Sequence, residues 1–333
     1  MTINRNKKIL VLTLIAGGVV ALVSFYVGRI SVLGEAYLTE SQNEERRIKS
    51  MGLRFTSPLL ECEEHTMRFF KDISSVSEKV EDFIDGVKSR GEISHASVYF
   101  RDLSNGPWFG INEDFQFQPA SLAKVPLMVT FLKLVEADPS LFNKKLTLSE
   151  LTPTADQVYE PSVRLEIGKS YSTRELLERM IIFSDNDSLN LLFNSKLVDQ
   201  EAFDDVYSDF GIDAPTSPES RIDVRSYASF FRILYNATYL VNPLSEYALE
   251  LLSQTSFMDG LRAQLPKEIV VAHKFGERKT TTGEIQFHDC GIIYYPERPY
   301  LLCVMTRGFD TASLVEVIAD VSGIIYEEIK ARE

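Results

Sequence analysis

The sequence predicts an α/β protein in which one sheet is assembled from both ends of a domain, with a helical subdomain inserted between them. Two observations carry this. Strand-like runs cluster at residues 96–102 and 108–112 and return at 269–275, 285–295 and 300–307. Between about 122 and 256 the pattern is mostly helical. Strands at the ends with helices between them pack as one layered unit. A third observation, an uncharged apolar stretch at 9–28, adds an N-terminal transmembrane helix.

From the N-terminus, Arg5, Lys7 and Lys8 precede the apolar stretch and Arg29 closes it. About twenty residues at 1.5 Å rise cross a hydrocarbon core of roughly 30 Å. The basic flank makes 1–8 a cytoplasmic tail, 9–28 an anchor, and everything after it extracytoplasmic. A cleaved signal peptide is the competing reading, although its apolar region is usually shorter. Residues 29–75 are polar and charged, as in a juxtamembrane stalk, with a short apolar patch at 55–60 suited to docking on the main domain. That domain is expected over 76–333. It opens with an amphipathic helix at 78–87, where Val80, Phe83 and Val87 share a face. Ser104, Asn105 and Gly106 form the turn between the first two strands. Ser172 to Glu175 reads as a capping box opening a helix that runs to Phe183. The last two strands are joined at 296–299, and an amphipathic helix at 312–331 ends the chain.

Composition excludes several functions. A net charge of -13 over 333 residues, with no basic stripe, argues against nucleic-acid partners. The three cysteines, Cys62, Cys290 and Cys303, are widely spaced with no CxxC pair, so no zinc cluster is expected. Cys290 and Cys303 lie in apolar strand-like runs, where a buried free thiol is the ordinary outcome. His65, His95, His273 and His288 show no metal-binding spacing, and neither a metal nor an organic cofactor is expected.

Three short motifs carry chemistry. Ser121-Leu122-Ala123-Lys124 opens a helix, Ser184-Asp185-Asn186 follows the capped helix, and Lys274-Phe275-Gly276 is expected to end a strand. Ser and Lys three apart share a helix face, and a desolvated lysine can accept a hydroxyl proton. Ser184 can relay a proton, Asn186 can orient Lys124, and Lys274 can raise the local potential. Singly, each has an ordinary alternative: a chance SxxK, a turn, an exposed strand lysine.

Taken together, in this order, the motifs resemble those of the class A β-lactamase and penicillin-binding serine hydrolase superfamily. The similarity extends to Phe117-Gln118-Pro119-Ala120 before the serine, Val158-Tyr159-Glu160-Pro161, residues 168–176, and His288-Asp289-Cys290-Gly291-Ile292, covering about 76–333. The resemblance implies a β-lactamase/transpeptidase-like fold with an antiparallel sheet. It further implies Ser121 as nucleophile, Lys124 as general base, Ser184 as proton shuttle, and Asn186 and Lys274 lining the cleft. Backbone N–H groups of Ser121 and Glu277 become the oxyanion hole, and Tyr159, Phe275, Gly276 and Arg278 contact substrate. The implied ligands are β-lactams or peptidoglycan-like D-Ala-D-Ala peptides.

Two departures qualify this. No E-x-x-L-N occurs between Asn186 and Asp223, where 211–222 reads GIDAPTSPESRI and Glu219 is the nearest carboxylate by position. Without a placed base an acyl-enzyme should be long-lived. Phe275 stands where the family has Thr or Ser, so the substrate lacks a carboxylate there or Arg278 or Arg307 compensates. A non-catalytic envelope-binding module that keeps the fold is the alternative to an enzyme.

Overall fold

In the computed structural model of the chain, which describes residues 53–57 and 67–331 apart from 105, 153–158, 160, 162–163, 218 and 281, five strands form one antiparallel sheet. They are β1 (His95–Asp102), β2 (Trp108–Ile111), β7 (Val270–Lys279), β8 (Ile285–Tyr294) and β9 (Tyr300–Gly308), in the order β2-β1-β9-β8-β7. Strands from the two ends of the domain meet at β1 and β9, with Ala96 opposite Thr306 and Arg101 opposite Leu301. The sheet is therefore closed by its own termini, as the strand pattern predicts.

Helices cover both faces. On one, α1 (Met67–Ser89) and α8 (Thr311–Lys330) pack with Val76, Val80, Ile84, Leu314, Ile318 and Ile325 buried. These recur at three- and four-residue spacing, the stripe an amphipathic helix presents to a sheet. On the other lie α2 (Lys124–Ala137), α3 (Thr173–Ile182), α4 (Asn186–Asn194), α5 (Gln200–Asp209), α6 (Val224–Asn236) and α7 (Asn242–Ser253). Helix α2 is apolar nearly all round, from Val125 through Val135, as a helix buried inside a subdomain must be. Pro126 sits in its first turn, where a missing N–H costs nothing. Ser172 caps α3, accepting from Glu175 N at 3.2 Å, as the capping box requires. Two small ribbons, β3 (Gln116–Phe117) with β6 (Ile222–Asp223) and β4 (Lys145–Thr147) with β5 (Ser170–Ser172), tie loops to the subdomain.

Differences from the sequence reading have local causes. Helix α1 begins at Met67 rather than at 78. The compact unit runs from Phe55, taking in part of the segment read as a stalk. Phe55 and Thr56 dock as the apolar patch suggests, their N–H groups donating to Glu246 carboxylate oxygens at 2.8 and 2.9 Å. Strand β7 continues to Lys279, so Lys274, Phe275 and Gly276 lie mid-strand rather than at its end. Glu277, Arg278 and Lys279 are charged, yet an edge strand accommodates charge on its open side, and pairing with β8 through Lys279–Ile285 sustains it. No helix among the described residues is long and apolar enough to cross a membrane; 9–28 and Cys62 lie outside them, as does Asn105 of the first turn.

Cys290 and Cys303, read as free thiols, form a disulfide instead. They are directly opposite in the β8–β9 register, which places both sulfurs in the helical-subdomain core. Closing 13 residues of sequence restricts the unfolded chain. Replacing both by Ala is expected to lower stability by about 3 kcal/mol, measured as a lower urea midpoint.

Candidate active site

Ser121 lies in a 3-10 turn (Ala120–Ala123) that runs straight into α2, half-buried at the mouth of a cleft between β7 and the helical subdomain. The turn is held from below by β8. Gln286 Oε1 accepts from Gln118 N at 2.9 Å, and His288 Nε2–H donates to the Gln118 carbonyl at 3.0 Å. Burial pushes the His288 imidazole down to about 4, so it is neutral, and the donated proton fixes its tautomer. Tyr227 donates to the Leu122 carbonyl at 2.9 Å from the opposite side. Between these clamps Ala120 is forced to φ 51°, a left-handed conformation that costs a side-chain-bearing residue on the order of 1–3 kcal/mol.

Lys124 follows one turn later and is 1% exposed. Its Nζ lies 3.0 Å from Ser121 Oγ, 3.0 Å from Ser184 Oγ, 2.7 Å from the Ser184 carbonyl and 2.6 Å from Asn186 Oδ1. An amine nitrogen has three positions besides its bond to carbon, so these four oxygens share them. Burial lowers its pKa to about 7 against the opposing pull of Asp185 and Glu277.

Ser184 and Asn186 arrive from the junction of α3 and α4. Ser184 has φ 53°, and Asp185 caps α4, accepting from Asp187 N at 3.0 Å and from Arg179 Nε at 3.2 Å. Asp187 in turn anchors Arg164, which reaches it at 2.8 Å while donating to the Thr152 carbonyl at 2.7 Å. The junction is thus fixed on both sides.

Lys274, wholly buried on β7, donates to Ser184 Oγ and to the Phe275 carbonyl, both at 2.9 Å. Burial and the neighbouring Lys124 hold it well below the ordinary lysine range. Gly276 comes so close to the serine turn that a Cβ would lie 2.9 Å from the Pro119 carbonyl and 3.1 Å from Ser121 N. Only glycine allows the strand edge to stand beside the serine backbone.

The remaining expected contacts are placed differently. Phe275 is not open to the cleft: it is 3% exposed, stacked on Phe257 at 4.4 Å and lying against Phe287. Tyr159 closes over this cluster edge-on, 4.8 Å from Phe257 and 5.6 Å from Phe275, with its N–H on Glu277 Oε1 at 3.0 Å. Its neighbours Val158 and Glu160 lie outside the described residues. Arg278 is paired with Glu219 at 3.3 Å, and Glu219 also accepts from Gln118 Nε2 at 2.5 Å. Arg307 is away on β9, bonded to His95 at 3.0 Å and facing Glu284. A concavity lined by Lys88, His95, Asn112, Glu113, Asp114 and Phe115 contains none of the motif residues.

Gln286 and Tyr227 escaped the sequence reading, and His288 entered it only as part of a family-like segment. The available signal was a cluster of polar residues, Gln286, His288 and Asp289, in a mostly apolar strand. The side chains brought together, Ser121, Lys124, Ser184, Asn186 and Lys274, can pass a hydroxyl proton among themselves. No group of three or more His, Cys, Asp or Glu among the described residues could hold a metal ion.

A family model described as "Beta-lactamase enzyme family" matches residues 75–329. Beta-lactamase L2 of Stenotrophomonas maltophilia is 32% identical over 97 residues, which are 29% of this chain and 31% of that protein, so the match spans about a third of that relative. Among solved structures, a β-lactamase from Chitinophaga pinensis superposes with a TM-score of 0.68 at 22% identity, covering 77% of this chain and 99% of that one. A mutant of PBP-A, as its acyl-enzyme with penicillin-G, superposes at 0.66 with 21% identity, covering 78% and 97%. These structures share the fold.

Two outcomes follow from the geometry. Labelling of Ser121 by a neutral fluorophosphonate is expected to rise about tenfold per pH unit below pH 7 and level off above it, because Lys124 must lose its proton to act and does so at about 7. A flat profile across pH 5–9 would remove Lys124 as the base. Gly276→Ala is expected to slow labelling by about a hundredfold while circular dichroism stays unchanged, since the strand edge must back away from the serine.

Proposed function

The chain belongs to the beta-lactamase enzyme family, and on that premise we propose that it is a serine acyl-transfer hydrolase acting through Ser121. The observation that carries the reading is the contact of a buried lysine of depressed pKa with both Ser121 Oγ and Ser184 Oγ. Ser121 Oγ attacks an amide or ester carbonyl while its proton passes to Lys124 Nζ. The oxyanion is received by the N–H groups of Ser121 and Glu277. As the tetrahedral intermediate collapses, Ser184 gives its proton to the leaving nitrogen or oxygen and is recharged from Lys124. Asn186 keeps Lys124 in place, and Lys274 keeps the Ser184 hydroxyl in place. Water then releases the acyl group.

That last step is proposed to be slow. In the loop leading to β6, Glu219 is occupied by Gln118 and Arg278 at the cleft rim and is largely exposed, a poor setting for activating a water. The proposed ligands are β-lactams or D-Ala-D-Ala-like peptides and amides, with penicillin-binding behaviour rather than rapid hydrolysis. The disulfide supports placing the domain outside the cytoplasm, where such bonds persist, with 9–28 as the anchor.

Intact mass of the protein incubated with penicillin-G, beside Ser121→Ala, tests this. The expected result is a single adduct that persists for hours and is missing from the variant. Rapid drug consumption without an accumulated adduct would overturn slow deacylation. No adduct with penicillin-G or with fluorophosphonate would leave a binding module that keeps the fold.

A further inference from the structure

Resting on the acyl-transfer reading, we infer that Phe55, Thr56 and Ser57 form a strap seated in a groove between α6, α7 and β8. Seated there, the strap steadies the acylation centre from behind.

The groove is built to hold an extended chain. On α7 the Glu246 carboxylate accepts from Phe55 N and Thr56 N at 2.8 and 2.9 Å, and from Thr56 Oγ1 at 2.9 Å. Tyr294, the last residue of β8, donates its hydroxyl to the Phe55 carbonyl at 2.9 Å. Burial pushes that phenol far above its ordinary range, so it stays a donor. Ser57 N donates at 2.7 Å to the carbonyl of Tyr235, in the last turn of α6, where carbonyls have no partner inside the helix. The Phe55 ring is 4% exposed and stands edge-on to Tyr294 at 5.4 Å. Backbone and side chain are thus both recognised, and by three different elements.

Those three elements are the ones that hold the motif residues. Strand β8 grips Gln118 through Gln286 and His288. Helix α6 reaches the serine turn through Tyr227, which donates to the Leu122 carbonyl. Just after α7, Thr255 Oγ1 donates to the His273 carbonyl at 2.8 Å and Ser256 N to the Ile182 carbonyl at 2.9 Å. His273 adjoins Lys274, and Ile182 closes the helix that leads to Ser184.

The strap sits at the other ends of the same elements. Tyr294 faces Val270 in the strand register, whereas His288 faces Gly276, about 20 Å further along. Tyr235 lies about 12 Å along α6 from Tyr227, and Glu246 about two turns before the end of α7. Packed rods rock and slide as units. Tying their remote ends together limits how far their near ends part around Ser121.

The occupant is the chain's own segment. Helix α1 lies on the opposite face of the sheet, and residues 58–66 reach at most about 30 Å, enough to pass between layers roughly 10 Å apart.

Hydrogen exchange of the full-length chain, with Ser121 labelling by a neutral fluorophosphonate, tests this. Wild-type amides of Phe55, Thr56 and Ser57 are expected to exchange slowly. Glu246→Ala is expected to speed them about a hundredfold, with α1 and α8 unchanged. Phe55→Asp, which puts an unpaired charge where the ring was buried, should free Thr56 and Ser57 equally. In both variants the plateau rate of labelling is expected to fall severalfold. The pH at which labelling levels off should rise from about 7 as Lys124 gains water, a change that lost stability alone would not produce. Glu246→Gln, keeping one acceptor oxygen, should recover part of each effect. Fast exchange at 55–57 in the wild type, or protection that fades on dilution, overturns docking of the chain's own segment. A released strap with unchanged labelling overturns the steadying role. If wild-type Ser121 takes no fluorophosphonate, the acyl-transfer reading fails and takes the steadying role with it, while exchange still decides the docking.

Discussion

The ammonium of Lys124 is asked to sit where water cannot reach it, within hydrogen-bonding distance of two hydroxyls, a carbonyl and an amide oxygen from two different segments. Desolvation opposes its charge, and the oxygens hold its position. Much of the surrounding structure serves this one contact. The clamps from β8 and Tyr227 fix the turn that launches α2, Asp185 and Arg179 fix the junction that delivers Ser184 and Asn186, and Gly276 lets β7 close the third side. Two residues with positive φ, Ala120 and Ser184, stand at the two places where chain direction must change abruptly to make the contact. Strain concentrated there is the cost of a reactive geometry that packing elsewhere maintains.

The first lysine shapes a second. Lys274 sits on the far side of Ser184, where burial, and after it the neighbouring Lys124, disfavour its charge. Ser184 is left between two amines of reduced charge, able to pass a proton either way. Glu277 and Asp185 temper the effect by drawing Lys124 back towards its charged form. The balance near neutral pH is set by these groups together rather than by any one of them.

What could be read from sequence was what is local or periodic. The meeting of Ser121, Lys124, Ser184, Asn186 and Lys274 was legible because each motif spans only a few residues. The apolar strand-like runs of β1 and β9 and the cap of α3 were legible for the same reason. Strand partners were not. The facing of Cys290 and Cys303, the persistence of β7 beyond Gly276 and the grip of Gln286 and His288 on Gln118 all depend on register between strands. Phe275 shows the limit most sharply: its position in a motif suggested a substrate contact, whereas its burial is decided by Phe257 and Phe287, one of them in a loop no periodicity announces.

The pairing of β1 with β9 joins residues roughly two hundred apart in sequence, and it sits in the middle of the sheet. A chain emerging from its N-terminus presents β1 and β2 long before their partner exists, and the helical subdomain has to wait with its sheet-facing core uncovered. Folding is therefore deferred to the end of synthesis and governed by long-range closure, which is slow. Lys274 and Gly276 thus reach the serine turn only after nearly the whole chain has been made.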